Sequence, residues 1–176
     1  MRHVRFGRID KIVQNVQNRP MEWRYSVSEL RESLREVFSG VVQQHRPVVV
    51  ERRDEQAALI GLDELAVLLE PHEFRPEAFF EVDAVTLWLP EFALYGRGRT
   101  YGEAQDDLVE EVRAYVIDYL EESVAYLNAP NRAAHFPHVV RALVADAQGH
   151  LVDMLFAPPT EEAAELMPEQ RAAAAV

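Results

Sequence analysis

The 176-residue sequence contains no cysteine. Without thiols the chain has no disulfide, no thiolate metal ligand and no cysteine nucleophile, and this fits a reducing compartment. No apolar run approaches the roughly 20 residues that a membrane-spanning helix needs, and the first residues lack the hydrophobic core of a secretory signal. We therefore expect a cytoplasmic protein with no membrane partner.

Positive charge is scarce over most of the chain. Residues 1–53 carry eleven Arg or Lys against six Asp or Glu, a net charge of +5, whereas residues 54–176 carry seven against twenty-four, a net charge of −17. A basic region suits phosphate-rich partners. An acidic region suits a basic protein surface, or simply keeps a protein soluble. With 48% hydrophobic and 27% charged residues, the composition is that of a globular protein with one sizeable or two small domains.

The strongest local pattern lies in residues 24–69. Ser26 stands three residues before Glu29, the spacing of a reciprocal capping box, and this predicts the start of a helix. An apolar stripe at spacings of three and four follows and predicts the buried side of that helix; its members are Val27, Leu30, Leu34, Val37, Phe38 and Val41.

The rest of this region predicts a hairpin and a second helix. Residues 47–50 form a short apolar strand, residues 52–55 a polar reversal, and residues 56–60 a second strand. Gly61 then breaks the pattern before helical spacing resumes over residues 62–69. The predicted order of elements is β-α-β-β-α.

This order, with S-V-S-E-L-R at the helix start and P-V-V-V-E-R-R at the hairpin, resembles the Phd/YefM-type antitoxins of bacterial toxin–antitoxin systems. The resemblance implies a homodimer that binds operator DNA and represses its own operon. Arginine contacts phosphates and guanine edges, and helix N-termini attract phosphate. The alternative is a solvated basic face balanced by Glu29, Glu32 and Glu36. The candidate DNA-binding residues are Arg24, Ser26, Ser28, Arg31, Arg35, Arg52 and Arg53.

The second half predicts a small acidic α+β domain. Residues 78–92 alternate as one or two strands, residues 93–99 are a glycine-rich loop, and Thr100 caps a long helix that runs to about Leu127. Its predicted apolar side ends with Leu120, Val124 and Leu127. Residues 135–156 are helical and divided by Gly149, with predicted packing positions at Val139, Leu143, Leu151, Met154 and Leu155.

The region of residues 85–127, with the segment LPEFALYGRGRTYGEAQDDLVEEVRAYVIDYLEE, resembles HicB-type antitoxins, whose fold is a small RNase H-like sheet with helices. The matching residues are Leu89, Pro90, Glu91, Phe92, Gly98, Thr100, Glu103 and Ala104.

The expected fold class of the whole chain is therefore α/β, of the mixed α+β kind. We expect a basic arm in residues 1–20, a Phd/YefM-like domain in 21–70, a linker in 71–77, a HicB-like domain in 78–157 and an acidic tail in 158–176.

No catalytic, metal or cofactor motif accompanies these resemblances. Carboxylates such as Asp83 and Asp107 allow an alternative as an RNase H-like metal-dependent nuclease, but their spacing is that of any solvated acidic helix. We predict a type II antitoxin, not an enzyme, that neutralises an RNase toxin through acids on the long helix; a second alternative is a DNA-binding regulator without a toxin. The candidate toxin-binding residues are Asp106, Asp107, Glu110, Glu111, Glu121 and Glu122.

Overall fold

A computed structural model of the protein describes residues 23–156. The chain forms two compact units that divide between Glu64 and Leu65, and each is described by itself. Both contain helices and a three-stranded sheet, so the predicted mixed α+β class is confirmed. The predicted arm and tail, residues 1–20 and 158–176, lie outside the described residues.

Residues 24–69 have the predicted β-α-β-β-α order. Strand β1 (Arg24–Ser26) leads into helix α1 (Val27–Gln44), followed by the hairpin of β2 (Val48–Arg52) and β3 (Glu55–Leu59). Strand β1 pairs with β2 in parallel, and β2 pairs with β3 antiparallel. The boundary between the units falls within the next helix, α2 (Leu62–Leu69).

Helix α1 begins at the predicted capping box. The Glu29 N–H donates to Ser26 Oγ at 3.2 Å, and the Ser26 N–H donates to Glu29 Oε2 at 2.7 Å. Ser33 then departs from helical geometry, and its hydroxyl donates to the Glu29 carbonyl at 2.7 Å, a contact that bends helices. The helix ends at His45, whose left-handed φ of 53° closes the last turn and whose Nδ1 contacts the Glu64 carboxylate.

The predicted apolar stripe of α1 is only partly buried. Val37 and Val41 form a small core with Val48 of β2, and Leu30 packs at its edge. Three other members of the stripe are exposed, contrary to the sequence prediction: Val27, Leu34 and Phe38. The three-stranded sheet is too small to cover the full width of the stripe.

The hairpin turn is tighter than predicted. Arg53 and Asp54 form the two-residue connection, Arg53 has a φ of 55°, and Glu55 lies in β3 opposite Arg52. Two-residue hairpin loops favour positive φ because this matches the twist of the strands. Arg53 therefore occupies a conformation that glycine or asparagine adopts more easily.

The second unit is an antiparallel sheet covered by helices. Its strands are β4 (Glu77–Phe80), β5 (Val85–Leu89) and β6 (Leu94–Gly98), in that order across the sheet. Helix α3 (Tyr101–Glu121) packs on β5 and β6. The chain continues through α4 (Ser123–Asn128), a 3₁₀ turn (Ala133–His135), α5 (Phe136–Ala147) and α6 (Leu151–Phe156).

The glycine-rich loop predicted at residues 93–99 is wrong, because most of it is strand β6. A Cβ at Gly96 would lie 2.4 Å from the Ala104 carbonyl oxygen, and one at Gly98 would lie 2.5 Å from the Ala104 nitrogen. The glycines therefore allow the strand to approach the backbone of α3 closely. Their function is packing rather than loop flexibility.

Helix α3 ends earlier than predicted, at Glu121, and its last predicted apolar positions are exposed. Leu120, Val124 and Leu127 therefore do not belong to the core, and neither does Leu143 of α5. Gly149 separates α5 from α6 as predicted, with a φ of 76°. The large buried side chains of this core are Leu87, Leu89, Phe92, Leu108, Val112, Tyr119, Val139 and Leu155.

The segment at residues 71–77 packs on the second unit. Phe74 is buried against Phe92, with 5.4 Å between the ring centroids. The Arg75 N–H donates to Glu91 Oε1 at 3.2 Å, and Arg141 Nη1 donates to the Glu70 carbonyl at 2.7 Å. The segment predicted as a linker therefore has fixed side-chain contacts before β4 begins.

Candidate functional site

Most of the candidate DNA-binding residues lie at one end of the first unit. Because β1 and β2 are parallel, Ser26, where β1 ends, lies opposite Glu51, just before Arg52 and the turn residue Arg53. We call Ser26, Ser28, Arg52 and Arg53 the hairpin end. Arg31 lies one helical turn further along α1. Arg35 is nine residues from Ser26, about 13 Å along the helix.

The arginines differ in how far they are neutralised. Arg24 Nε lies 3.2 Å from Glu51 Oε1, and Arg52 Nη1 lies 3.9 Å from Glu55 Oε2. Within residues 23–156, Arg31, Arg35 and Arg53 are exposed and make no ion pair. These three guanidinium groups are therefore available to a phosphate. Arg46, just after α1, is exposed in the same way; the sequence analysis missed it because no motif includes it.

The N-terminus of α1 is not an open phosphate site. Both the hydroxyl and the N–H of Ser26 are engaged by Glu29, and these hydrogen bonds lower the pKa of the Glu29 carboxyl. The ionised carboxylate already interacts favourably with the helix dipole. At the hairpin end the exposed cationic groups are therefore those of the arginines, and the capping groups of the helix terminus are already occupied.

An apolar strip runs along α1 beside these arginines. Its side chains lie at helical spacing and are about half exposed, namely Val27, Leu34, Phe38 and Val42. The buried side of α1 faces the sheet through Val37 and Val41, so the strip lies on a neighbouring face of the helix. Exposed apolar side chains grouped in this way are typical of surfaces that take part in protein–protein contacts.

The six candidate acids, five on α3 and Glu122 directly after it, fall into two groups. Asp107 Oδ2 accepts the Arg97 N–H at 2.8 Å, and Glu110 pairs with Arg113 at 2.7 Å, so both contribute to the fold. The other four are exposed and make no ion pair within residues 23–156: Asp106, Glu111, Glu121 and Glu122. The structure does not bring the six together at one place, because they extend over most of the helix.

The second unit also contains a part-buried polar cluster that the sequence analysis missed. Tyr115 Oη lies 2.7 Å from His135 Nδ1 and accepts a hydrogen bond from Arg132 at 3.2 Å. Burial raises the pKa of Tyr115 and lowers the pKa of His135. These hydrogen bonds join α3 to residues 132–135 and thereby contribute to the packing of the unit.

Metal-binding geometry is not found in residues 23–156, where no three His, Asp or Glu side chains are grouped around one point. Asp83, considered above as a possible ligand, lies exposed in the β4–β5 connection. Over the same part of the chain, no helix combines the length and hydrophobicity needed to span a bilayer.

Both the fold and the sequence of the chain are similar to those of known proteins. The chain is similar in fold to the crystal structure of an antitoxin part of a putative toxin/antitoxin system from Syntrophomonas wolfei subsp. wolfei. The TM-score is 0.63 at 21% identity, over 74% of this chain and 94% of that one. No curated protein matches the sequence. The model of the PHD_like family, described as "Antitoxin of toxin-antitoxin, RelE / RelB, TA system", matches residues 21–156. Since this match includes both units, the chain belongs to that family of toxin–antitoxin antitoxins.

Proposed function

We propose that this antitoxin is of the Phd/YefM type, with a HicB-like second unit, and that it acts without catalysis. In this proposal the first unit binds operator DNA and represses the operon, and the second unit binds and neutralises an RNase toxin. The observation that carries the DNA-binding half is the set of unpaired, exposed guanidinium groups of Arg31, Arg35 and Arg53 in an otherwise acidic protein. Such groups, placed beside a helix and a hairpin turn, suit phosphate contacts and guanine readout.

A homodimer is part of the proposal. The half-exposed strip on α1 gives each protomer an apolar surface next to its arginines. Two strips that face each other across a two-fold axis would bury these side chains and present two sets of arginines to a palindromic operator. The apolar strip and the basic residues thus support the same assembly.

The toxin-binding half is supported by the charge of the second unit. The substrate site of an RNase must be basic to hold phosphates, so an acidic helix surface is complementary to it. Four of the six candidate acids are exposed and make no ion pair among the described residues: Asp106, Glu111, Glu121 and Glu122. They are therefore available to a basic partner.

DNA binding is tested with the full chain and the DNA upstream of its gene, at two salt concentrations. The double variant Arg31→Ala/Arg53→Ala should bind more weakly and reduce the slope of log K against log salt by about 1 for each lost phosphate contact. Arg75→Ala, an exposed arginine of the second unit, is the matched control. An affinity for DNA that does not change with salt concentration would contradict the DNA-binding proposal. So would equal affinities of the Arg31→Ala/Arg53→Ala and Arg75→Ala variants.

Neutralisation is tested by expressing the protein of the adjacent gene alone and together with this chain. Growth arrest by the neighbour alone, rescue by co-expression and a stable complex of the two are expected. If the neighbour is harmless and forms no complex while salt-dependent DNA binding remains, the chain is a regulator without a toxin. Loss of intact RNA on expression of the neighbour would identify it as an RNase.

A further inference from the structure

The end of α3 and the short helix α4 expose an unusual amount of apolar surface. The exposed fraction is 55% for Ile117, 39% for Leu120, 74% for Val124 and 45% for Leu127. These four residues, spaced by three and four positions, are called the end face below. Ile117 lies two residues from both Tyr115 and Tyr119, which are buried, so its side chain is on the opposite side of α3 from the core.

Helix α4 adds little to the stability of its own unit. None of its residues is buried, and its aromatic residue, Tyr126, packs partly inward, with its ring centroid 4.7 Å from that of Tyr119. Val124 and Leu127 are on the exposed side of this helix. The core does not require these side chains to be apolar. A contact with another molecule is therefore the simpler explanation of why apolar residues occupy these exposed positions.

Uncompensated negative charge surrounds the end face. Asp118, Glu121 and Glu122 lie at or just after the end of α3, and none of the three makes an ion pair among the described residues. Arg113, the one basic residue of α3, is held by Glu110 at 2.7 Å and by Asp146 at 3.0 Å. The carboxylates also line two shallow depressions, with Val124 in one and Tyr126 in the other.

The apolar side chains of the end face and the carboxylates around it indicate which kind of molecule binds there. Nucleic acid would be repelled by the carboxylates, and a second copy docked by the same face would bring identical acids together. A protein element with apolar side chains at its centre and Arg or Lys at its rim would satisfy both the apolar and the charged groups.

We propose that the cognate toxin docks on the end face, with a basic and apolar element over Ile117 and Val124. The inference rests on the proposed toxin-binding function and specifies its location. In this proposal the toxin contacts the end of α3 and α4. Asp107 and Glu110 are not part of the toxin-binding surface, because they are engaged within the fold. Glu121 and Glu122, adjacent to the end face, are the two candidate acids that take part.

The test measures the affinity of the purified full chain for the purified protein of the adjacent gene, by calorimetry. The double variant Ile117→Ser/Val124→Ser should weaken binding at least tenfold, and Glu121→Gln/Glu122→Gln should reduce the salt dependence of binding. The matched controls are Val152→Ser and Asp153→Asn, exposed positions on α6. Thermal unfolding of each variant verifies that it is folded. Hydrogen exchange on the wild-type complex gives an independent readout and should show protection of residues 117–128 but not of residues 151–156.

The outcomes separate the inference from the function on which it rests. If the wild type binds but the end-face variants bind equally well, and residues 117–128 gain no protection, the inference is wrong and the antitoxin function stands. If the wild type does not bind the neighbour at all, both fail. If the apolar variant instead changes the sedimentation coefficient of the chain alone, the face joins two copies, and the inference is overturned.

Discussion

At the scale of single residues, the side chains that hold the second unit together include two histidines. The His138 ring packs edge-on against the Phe74 and His72 rings, at 5.3 Å from each. Burial lowers the pKa of His138, although the nearby Glu91 carboxylate partly opposes the shift; His72 and Arg141 add to it. Burial, with Arg132 and His138 nearby, also lowers the pKa of His135.

These two histidines predict a loss of stability in mild acid. An unfolded histidine has the ordinary pKa of 6.5 and takes up a proton that the folded residue resists. The contribution of both histidines is therefore complete above pH 6.5 and is lost as the pH falls from there through the lower folded pKa. Urea unfolding at pH 7.5 and 5.5 should show a smaller decrease in the free energy of unfolding for His138→Gln than for the wild type.

His150→Gln, at an exposed histidine of α6, is the control and should keep the wild-type dependence. An unchanged dependence in His138→Gln would show that carboxylates alone cause the acid sensitivity. The comparison isolates the histidine because all variants keep the same Asp and Glu residues.

At the scale of elements, the second unit depends on the close approach of β6 to α3. Gly96 lies directly beneath Ala104 and Leu108 of the helix, and the Asp107 carboxylate accepts the N–H of Arg97 between the two glycines. The strand and helix are thus joined by backbone contact and by a hydrogen bond. This contact orients α3 relative to the sheet.

Two glycine substitutions should have opposite effects. In Gly96→Ala the new Cβ would lie 2.5 Å from Leu108 Cβ and 2.4 Å from the Ala104 carbonyl oxygen, and we expect a loss of about 2 kcal/mol in the free energy of unfolding. In Gly102→Ala, in the first turn of α3, the Cβ meets nothing within 4 Å. Here a gain of about 0.5 kcal/mol is expected. Chemical denaturation measures both, and equal effects would contradict the close packing.

At the scale of the whole molecule, the sequence changes its charge at the hairpin turn of the first unit: residues 1–53 carry a net charge of +5 and residues 54–176 a net charge of −17. Exposed arginines without an ion pair occur in both units, Arg31, Arg35 and Arg53 in the first and Arg97 and Arg99 in the second, whereas most exposed carboxylates of the described residues belong to the second. A positively charged surface suits a partner rich in phosphate, and a negatively charged surface suits a basic partner. The proposed antitoxin requires this combination, DNA at one unit and a basic toxin at the other.

The proposed dimer gives a prediction at this scale. Phe38→Glu places a charge in the centre of the apolar strip of α1, where Phe38 is 55% exposed, so the monomer should remain folded. Sedimentation should then show half the mass of the wild type, and operator affinity should decrease by about tenfold or more because one set of arginines is lost. Val82→Glu, at a fully exposed site in the second unit, is the control and should leave mass and affinity unchanged.

The elements of the first unit could be predicted because their signals are local. The hydroxyl of Ser26 and the carboxylate of Glu29 cap a helix by contacts within one turn, and the apolar run before Arg52 predicts a strand by its own spacing. Strand β6 could not be predicted, because its glycines are characteristic of loops unless a helix packs against them. The end of α3 was missed because Leu120, Val124 and Leu127 keep helical spacing whether or not a core lies beneath them.

The sequence by itself determined the order of elements in the first unit, the division of charge and the family resemblance, since these depend on residues adjacent along the chain. Tertiary structure alone decided which arginines and acids are unpaired, and which apolar residues of α1, α3 and α4 remain exposed. Pairing and burial depend on residues distant in sequence, such as Asp146 beside Arg113 or Arg97 beside Asp107. Periodicity specifies the apolar side of a helix, but the neighbouring elements determine how much of that side is covered.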